Sequence, residues 1–179
     1  MEEKEKITSK SVAREIVEWI CVIIVALIIS LTINNFIIVN ATVPSSSMET
    51  TIMTNDRIIG NRLAYKFDDP KRGDIIIFKN PDDESVLYIK RLIGLPGETV
   101  EIRDNSVFVD GIKLEEPYLN VETLGEFGPY VVPMGAYFMM GDNRNDSADS
   151  RYWKNTYLYR DGIVGKAVFR YWPKLSKLY

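Results

Sequence analysis

The sequence predicts a mostly β domain behind a single N-terminal transmembrane helix. Two observations carry this prediction. One long apolar run lies near the start of the chain, and the later part alternates short β-branched runs with glycine and proline turns. No long segment after Val43 shows a helical period. The length of 179 residues fits one domain of ordinary size plus an anchor.

The apolar run from Ile20 to Ile33 contains no charged residue. At 1.5 Å per residue, the longer stretch from Trp19 to Val39 matches the bilayer core of about 30 Å. We therefore predict a transmembrane anchor over residues 18–35, preceded by a tail of residues 1–17.

Two alternatives to an anchor exist. The run could be a buried core helix, or Val39-Asn40-Ala41 could mark the cleavage site of a signal peptide. The leading region is long and contains five acids, which favours an uncleaved anchor.

The distribution of cations predicts how the anchor is oriented. Lys4, Lys6, Lys10 and Arg14 precede the helix, and the next cation after it is Arg57. Lysine and arginine close to a membrane helix stay on the cytosolic side. We expect a single-pass protein of the cell membrane, with a cytosolic N-terminus and an extracytoplasmic domain.

That domain is predicted to cover residues 36–179, with residues 103–135 as a smaller surface subdomain. The apolar patch at Phe36 is expected to begin a strand. Glycines and prolines separate the further candidates at strand-like spacing. These strand candidates are residues 74–78, 86–89, 99–102, 107–109, 136–140 and 163–169.

Composition excludes several classes of function. A net charge of −3 argues against nucleic acid as a partner. Cys21 is the single cysteine, so no intramolecular disulfide can form. Without histidine, a zinc site is disfavoured; calcium bound by carboxylates stays open, although no loop shows the required ligand spacing. We predict neither a metal nor a cofactor, and the sequence gives no indication of the oligomeric state.

A serine cluster, Val43-Pro44-Ser45-Ser46-Ser47-Met48, follows the apolar run. A serine nucleophile needs a base within hydrogen-bond reach, and histidine is the usual one. Since the chain has no histidine, a catalytic serine here would depend on a lysine, a carboxylate or another unusual base.

Lys90 is the candidate base. It follows the strand predicted over residues 86–89 and is flanked by Ile89 and by Leu92-Ile93. Burial disfavours the ammonium form and lowers a lysine pKa, which would let the amine accept a proton. A surface lysine at a strand end is the alternative, and this segment alone favours it. The arrangement with lysine three residues after the serine is absent, because Thr50 stands there.

The segment of residues 141–151 is the third candidate. In an extended chain Asp149 and Arg151 would share a face, and arginine can hold a carboxylate with two hydrogen bonds. Such a locked loop could project Ser147 onto another side chain. A solvated loop is the alternative.

Taken together, these segments resemble the bacterial type I signal peptidases, membrane-bound serine–lysine endopeptidases that remove signal peptides from exported proteins. The short linking regions are similar to the compact Gram-positive form. The resemblance runs from the anchor to Ala167, and its four motifs occur in family order. They are Pro44-Ser45-Ser46-Ser47-Met48, Arg72-Gly73-Asp74-Ile75-Ile76-Ile77-Phe78, Lys90-Arg91 with Gly94-Leu95-Pro96-Gly97, and Gly141-Asp142-Asn143-Arg144 with Ser147-Ala148-Asp149-Ser150-Arg151.

The resemblance implies a role for each residue of the site. Ser47 would be the nucleophile and Lys90 the general base. The Ser47 backbone N–H and the Ser45 hydroxyl would form the oxyanion hole, and Ser147 would orient the lysine amine. Ser46 would only fill the variable position between the two functional serines.

The resemblance also implies two ion pairs near the site, Asp149 with Arg151 and Asp142 with Arg91. The sequence departs from the family at Thr50, where proline commonly follows the nucleophile. The change removes a rigid turn residue and leaves the serine–lysine pair intact.

By the same resemblance, the fold would be a signal-peptidase-like β-barrel or β-sandwich. The partners would be membrane lipid and the signal peptides of exported preproteins, with small side chains before the cut. An extended peptide could add to strand edges near the serine cluster. The predicted substrate-binding residues are Val43, Pro44, Met48, Tyr88 and Ile89.

Two rival functions fit the sequence less well. A self-cleaving repressor-type serine–lysine protease would carry a DNA-binding module or a polar arm in place of the anchor. A catalytically silent, membrane-tethered binding domain would have no reason to combine Ser45, Ser47, Lys90 and Ser147.

Overall fold

The N-terminal unit of the computed structural model is one long helix, and the structure describes residues 2–178. Helix α1 (Glu2–Thr32) continues into a π-helical turn, Ile33–Ile37. The stretch Val12–Ile37 is long and apolar enough to cross a membrane, by length and composition. The predicted tail and anchor are thus parts of one continuous helix, and the boundary between them stays a prediction.

The second unit begins at Ile38 and contains twelve strands within the described residues. Most are short, as expected from the turn-rich sequence. In chain order they are β1 (Ile38–Thr42), β2 (Arg57–Asn61), β3 (Ile75–Asn80), β4 (Asp83–Gly94), β5 (Thr99–Arg103), β6 (Ser106–Val109), β7 (Ile112–Lys113), β8 (Phe127–Val131), β9 (Ala136–Met140), β10 (Leu158–Tyr159), β11 (Ile163–Trp172) and β12 (Ser176–Lys177).

These strands form two sheets in which every pair is antiparallel. The large sheet has the order β1-β2-β11-β3-β4-β9-β10, with β12 added to β11. The small sheet has the order β7-β6-β5-β8. Over residues 38–178 neither sheet closes on itself. The mostly β prediction is confirmed, and of its two forms the sandwich-like one applies.

All six strand candidates appear in the structure, and the bounds of one of them and of the strand expected at Phe36 are corrected. The strand expected from Phe36 begins at Ile38, because the π-helical turn continues the helix through Ile37. The strand predicted to end before Lys90 continues to Gly94, because β3 and then β9 pair with its second half. Lys90 therefore lies inside a strand. The predicted subdomain of residues 103–135 contains β6, β7 and β8, and its boundaries stay a prediction.

Three buried apolar clusters stabilise the domain. One lies between β1, β2, β3 and β11 and includes Met48 and Ile52, the side chains that flank the serine cluster on its C-terminal side. A second packs the small sheet against β9, and a third surrounds Phe78 and Trp153. The first cluster matters most for function, because it holds the serine cluster against the large sheet.

Candidate active site

The serine cluster is fixed at both ends. At its first residue, the backbone N–H of Val43 donates to the carbonyl of Asp56 at 3.0 Å. At its last residue and one turn further on, Met48 and Ile52 are completely buried. Burial of two large apolar side chains within one turn favours a single backbone path. Ser47 is thereby held in place between a backbone hydrogen bond and the core.

Lys90 reaches Ser47 from β4, where it pairs with Ile76 of β3. The distance between Lys90 Nζ and Ser47 Oγ is 2.5 Å, within hydrogen-bond range. Lys90 is 4% exposed and Ser47 is 8% exposed. The structure thus brings together, across 43 residues of sequence, the hydroxyl and the amine that the sequence suggested.

Burial lowers the pKa of Lys90 to about 8 from an ordinary value of 10.5. The negative charges of Asp149 and Asp142 partly oppose this effect, and the positive charge of Arg151 adds to it. In the described part of the chain, Lys90 forms no ion pair, and its hydrogen bond goes to a neutral hydroxyl. A lysine in this state loses its proton close to neutral pH and can then accept one from Ser47.

The three serines of the cluster occupy different positions. Ser45 Oγ lies 3.2 Å from Ser47 Oγ, so its hydroxyl is beside the reacting group. Ser46 Oγ instead donates to Asp146 Oδ2 at 2.7 Å. The structure therefore separates Ser46 from the Ser47–Lys90 pair and gives it a partner that the sequence did not suggest.

Ser147 lies close to the serine cluster without touching the amine. Its Oγ is buried and has no hydrogen-bond partner among residues 2–178, so the bond expected to Lys90 is not formed in this structure. A Cβ on Gly141 would overlap both Ser147 Oγ and the carbonyl oxygen of Ser47. The orienting role of Ser147 stays a prediction.

Two bidentate ion pairs surround the site. Arg91 donates to both oxygens of Asp142 at 2.8 and 2.6 Å, and Arg151 donates to both oxygens of Asp149 at 2.8 Å each. All four side chains are at most 5% exposed. Asp149 Oδ2 also accepts the backbone N–H of Gly141 at 3.0 Å. The Arg91–Asp142 pair holds the turn-rich segment of residues 141–151 against β4, and the Arg151–Asp149 pair braces that segment internally.

Sequence reasoning missed a second set of contacts. Arg144 is completely buried and pairs with Glu116, and its guanidinium also donates to Thr123 Oγ1 at 3.1 Å. Thr51 Oγ1 donates to Asp142 Oδ2 at 2.5 Å. The Arg144 contacts tie the predicted surface subdomain to the site. Nothing local to the sequence signals contacts between residues so far apart.

A cleft of about 500 Å³ opens in front of the Ser47–Lys90 pair. One wall consists of residues 40–44, and the other consists of residues 86–89. Most of its lining is apolar, which suits an extended peptide with small side chains. All five residues predicted to bind substrate lie in this lining: Val43, Pro44, Met48, Tyr88 and Ile89.

Comparisons with known proteins identify the family. A family model described as signal peptidase, peptidase S26, matches residues 16–172. The chain belongs to this family. As a member of the signal peptidase family it is a serine endopeptidase, which confirms the predicted class of enzyme.

Curated relatives of this signal peptidase family member carry the same description. A probable signal peptidase I-2 from Synechocystis is 40% identical over 84% of this chain and 70% of the relative. A signal peptidase I P from Bacillus subtilis subsp. natto is 38% identical over 95% of each chain. A crystal structure of a signal peptidase I from Enterococcus faecalis is 37% identical, with a TM-score of 0.49, and the match covers 55% of this chain and 97% of that chain.

Proposed function

We propose that this signal peptidase family member cleaves the N-terminal signal peptides of exported preproteins with Ser47 as nucleophile and Lys90 as general base. The observation that carries the assignment is the 2.5 Å contact between Lys90 Nζ and Ser47 Oγ in a buried site. The family membership and the names of the relatives support the substrate class.

Acylation begins when the neutral amine of Lys90 takes the Ser47 proton. The serine oxygen attacks the scissile carbonyl, and the carbonyl oxygen becomes an oxyanion. The Ser47 backbone N–H and the Ser45 hydroxyl donate hydrogen bonds to it, and each such donor stabilises the transition state by about 3 kcal/mol. Lys90, now an ammonium, gives its proton to the leaving amine as the peptide bond breaks.

Deacylation repeats the same proton movements with water. Lys90, neutral again, takes a proton from water, and the resulting hydroxide attacks the ester carbon on Ser47. The ester bond breaks, the proton returns from Lys90 to Ser47 Oγ, and the new carboxylic acid of the signal peptide releases its proton to solvent and leaves as a carboxylate. No group other than the serine–lysine pair and the oxyanion donors is required.

The cleft has two strand edges to which a substrate can add. Strand β1 is the outermost strand of the large sheet and pairs with β2 alone. Residues 86–89 of β4 pair with β3 on one side, and β9 pairs only with the later residues of β4. An extended signal-peptide end can therefore donate and accept backbone hydrogen bonds along these edges while alternate side chains enter the cleft.

We further propose that the catalytic domain lies on the extracytoplasmic face of the membrane. Four cations precede the apolar stretch, and no lysine or arginine lies between that stretch and Arg57. This distribution supports the orientation. Protease added to the outside of intact spheroplasts should digest the domain. Digestion only after the cells are opened would contradict the orientation.

The decisive experiment measures cleavage of a preprotein by the full-length protein in detergent, with the product mass determined by mass spectrometry. Wild type and Ser46→Ala should both cleave, whereas Ser47→Ala should produce no product, because only the Ser47 hydroxyl contacts the lysine. Cleavage by Ser47→Ala, or failure of the wild type on preproteins with Ala-x-Ala before the cut, would refute the proposal.

The same assay tests the oxyanion donor. Ser45→Ala should lower kcat by roughly a hundredfold and change KM little, because its hydroxyl acts on the transition state rather than on the bound peptide. Unchanged kcat would remove Ser45 from the site.

A further inference from the structure

The substrate cleft carries a carboxylate at its rim. Among the described residues that line the cleft, Lys90 and Asp146 are the two with charged side chains. Asp146 is exposed, in contrast to the buried Lys90. Neither the proposed acylation nor the proposed deacylation uses Asp146, so its position in the cleft has no explanation in the reaction itself.

The position of this carboxylate is fixed by its neighbours. Asp146 Oδ2 accepts the Ser46 hydroxyl at 2.7 Å, and the Asp146 backbone N–H donates to the carbonyl of Asn143 at 3.0 Å. Asn143 in turn donates to the carbonyls of Ser46 and Ser47. Asp146 therefore belongs to a hydrogen-bonded unit that includes the nucleophile's own backbone, and its charge stays beside the reacting serine.

The charge of the cleft changes with the state of Lys90. With its pKa lowered to about 8 by burial, Lys90 must lose its proton before it can act as a base. In that working state the cleft retains the negative charge of Asp146 without a compensating ammonium. A charged substrate side chain near the reacting bond therefore meets a cleft of net negative charge.

Asp146 enters the cleft from a third segment of the chain. The two cleft walls, residues 40–44 and residues 86–89, precede Ser45 and Lys90 in the chain and provide the strand edges for the signal-peptide end. Asp146 and Ala148 line the cleft from the other segment, residues 141–151, and Ser46 links that segment to the nucleophile. Because Ser46 is next to the nucleophile in the chain, Asp146 lies beside the part of the cleft where the scissile bond must sit.

We propose that Asp146 is a specificity-determining residue that disfavours acidic side chains at the substrate positions next to the scissile bond. The inference rests on the proposed function, because it needs the chain to be the peptidase. Two carboxylates within about 7 Å at a protein surface repel each other enough to slow cleavage about three- to tenfold. Lysine at the same positions should not be penalised.

The experiment compares kcat/KM for peptides that differ in one residue. The peptides share Ala-x-Ala before the cut and carry Gln, Glu or Lys at the first or second position after it, with a further set that varies the second position before it. Wild type, Asp146→Asn and Ser46→Ala are assayed, together with Glu126→Gln as a matched exposed acid outside the cleft lining. The readout is the Gln-to-Glu ratio of kcat/KM within each protein, so differences in overall activity cancel.

We expect a ratio of about three to ten for wild type and Glu126→Gln, falling to near one for Asp146→Asn and to an intermediate value for Ser46→Ala. Because exposed charges are screened, the wild-type ratio should shrink in 1 M salt. Equal cleavage of Gln and Glu peptides by the wild type, or an unchanged ratio in Asp146→Asn, would overturn the inference alone. No cleavage of the Gln peptide by the wild type would overturn the proposed function and the inference together.

Discussion

Lys90 and Arg91 are neighbours on β4, both are 4% exposed, and they differ in the group to which each is bonded. Arg91 is bonded through two nitrogens to a carboxylate, Asp142, whereas Lys90 is bonded to a neutral hydroxyl. A buried cation with a carboxylate partner keeps its charge and serves as a structural link. A buried lysine without one has its charge disfavoured and becomes a base. In this protein the bonding partner, more than the burial, separates catalytic from structural cations.

Lys90→Arg should give the largest effect. Arginine remains charged at any ordinary pH and cannot accept the Ser47 proton, so cleavage should fall by about ten-thousandfold. The assay is kcat/KM on a preprotein or signal-peptide substrate. Lys79→Arg, an exposed lysine that pairs with Glu84, should behave as wild type. Substantial activity in Lys90→Arg would break the assignment of Lys90 as base.

Asp149→Asn should mainly reduce stability, whereas Lys90→Arg reduces catalysis. The substitution leaves Arg151 buried without a charged partner, which should lower the free energy of unfolding by about 3–5 kcal/mol. Urea unfolding of the full-length protein, followed by tryptophan fluorescence, measures it. Glu101→Gln is the matched control, because its pair with Arg103 is 39% exposed on each side and should contribute under about 1 kcal/mol. Equal losses in the two variants would mean that burial of the pair has no consequence.

Lys90→Met should inactivate the protein and stabilise it. Lowering the pKa of Lys90 from 10.5 to about 8 corresponds to about 3 kcal/mol of cost for its charge in the folded state. Below pH 8 the free energy of unfolding of the variant should therefore exceed that of wild type by up to about 3 kcal/mol. The gain should shrink between pH 8 and 10.5, where wild type also avoids the charge.

The prediction concerns the difference in the free energy of unfolding between Lys90→Met and wild type at each pH. Contributions from other titrating groups cancel in this difference. Burial raises the pKa of Tyr65 and Tyr118, so both affect stability at high pH, but they do so equally in the two proteins. A Lys90→Met protein less stable than wild type at pH 7 would show that the amine is a structural group, like Arg91.

The pH dependence of cleavage should follow the same pKa. Because the base must be neutral, kcat/KM should rise about tenfold per pH unit below pH 8 and level off above it, leaving roughly a hundredth of the activity at pH 6. A profile that is flat from pH 5 to 9 would contradict a titrating lysine. Since the carboxylate of Asp149 raises the pKa of Lys90, Asp149→Asn should move the midpoint to lower pH.

Local sequence was sufficient for part of this fold. The runs at residues 75–78 and 136–140 identified their strands, since β-branched and aromatic residues favour a pleated surface. Strands β2 and β8 were missed because Gly60 and the pair Gly128-Pro129 are typical of turns. The two-residue strands are too short for any periodicity.

The candidate site was predictable to a similar degree and for related reasons. Ser47 and Lys90 could be suggested because the missing histidine restricted the base and four motifs occurred in order. The sequence could not suggest that Arg144 pairs with Glu116 or that Ser46 pairs with Asp146. Both contacts depend on how distant segments pack, which no local pattern encodes.

The close contacts around Gly141 determine which mutations its codon can tolerate. A side chain there would begin inside the space of two oxygen atoms, one on Ser147 and one on the nucleophile's backbone. Every missense change of a glycine codon adds at least that first carbon. We therefore expect no tolerated missense allele at this codon, so Gly141 should rank with Ser47 and Lys90 in any screen for loss of function.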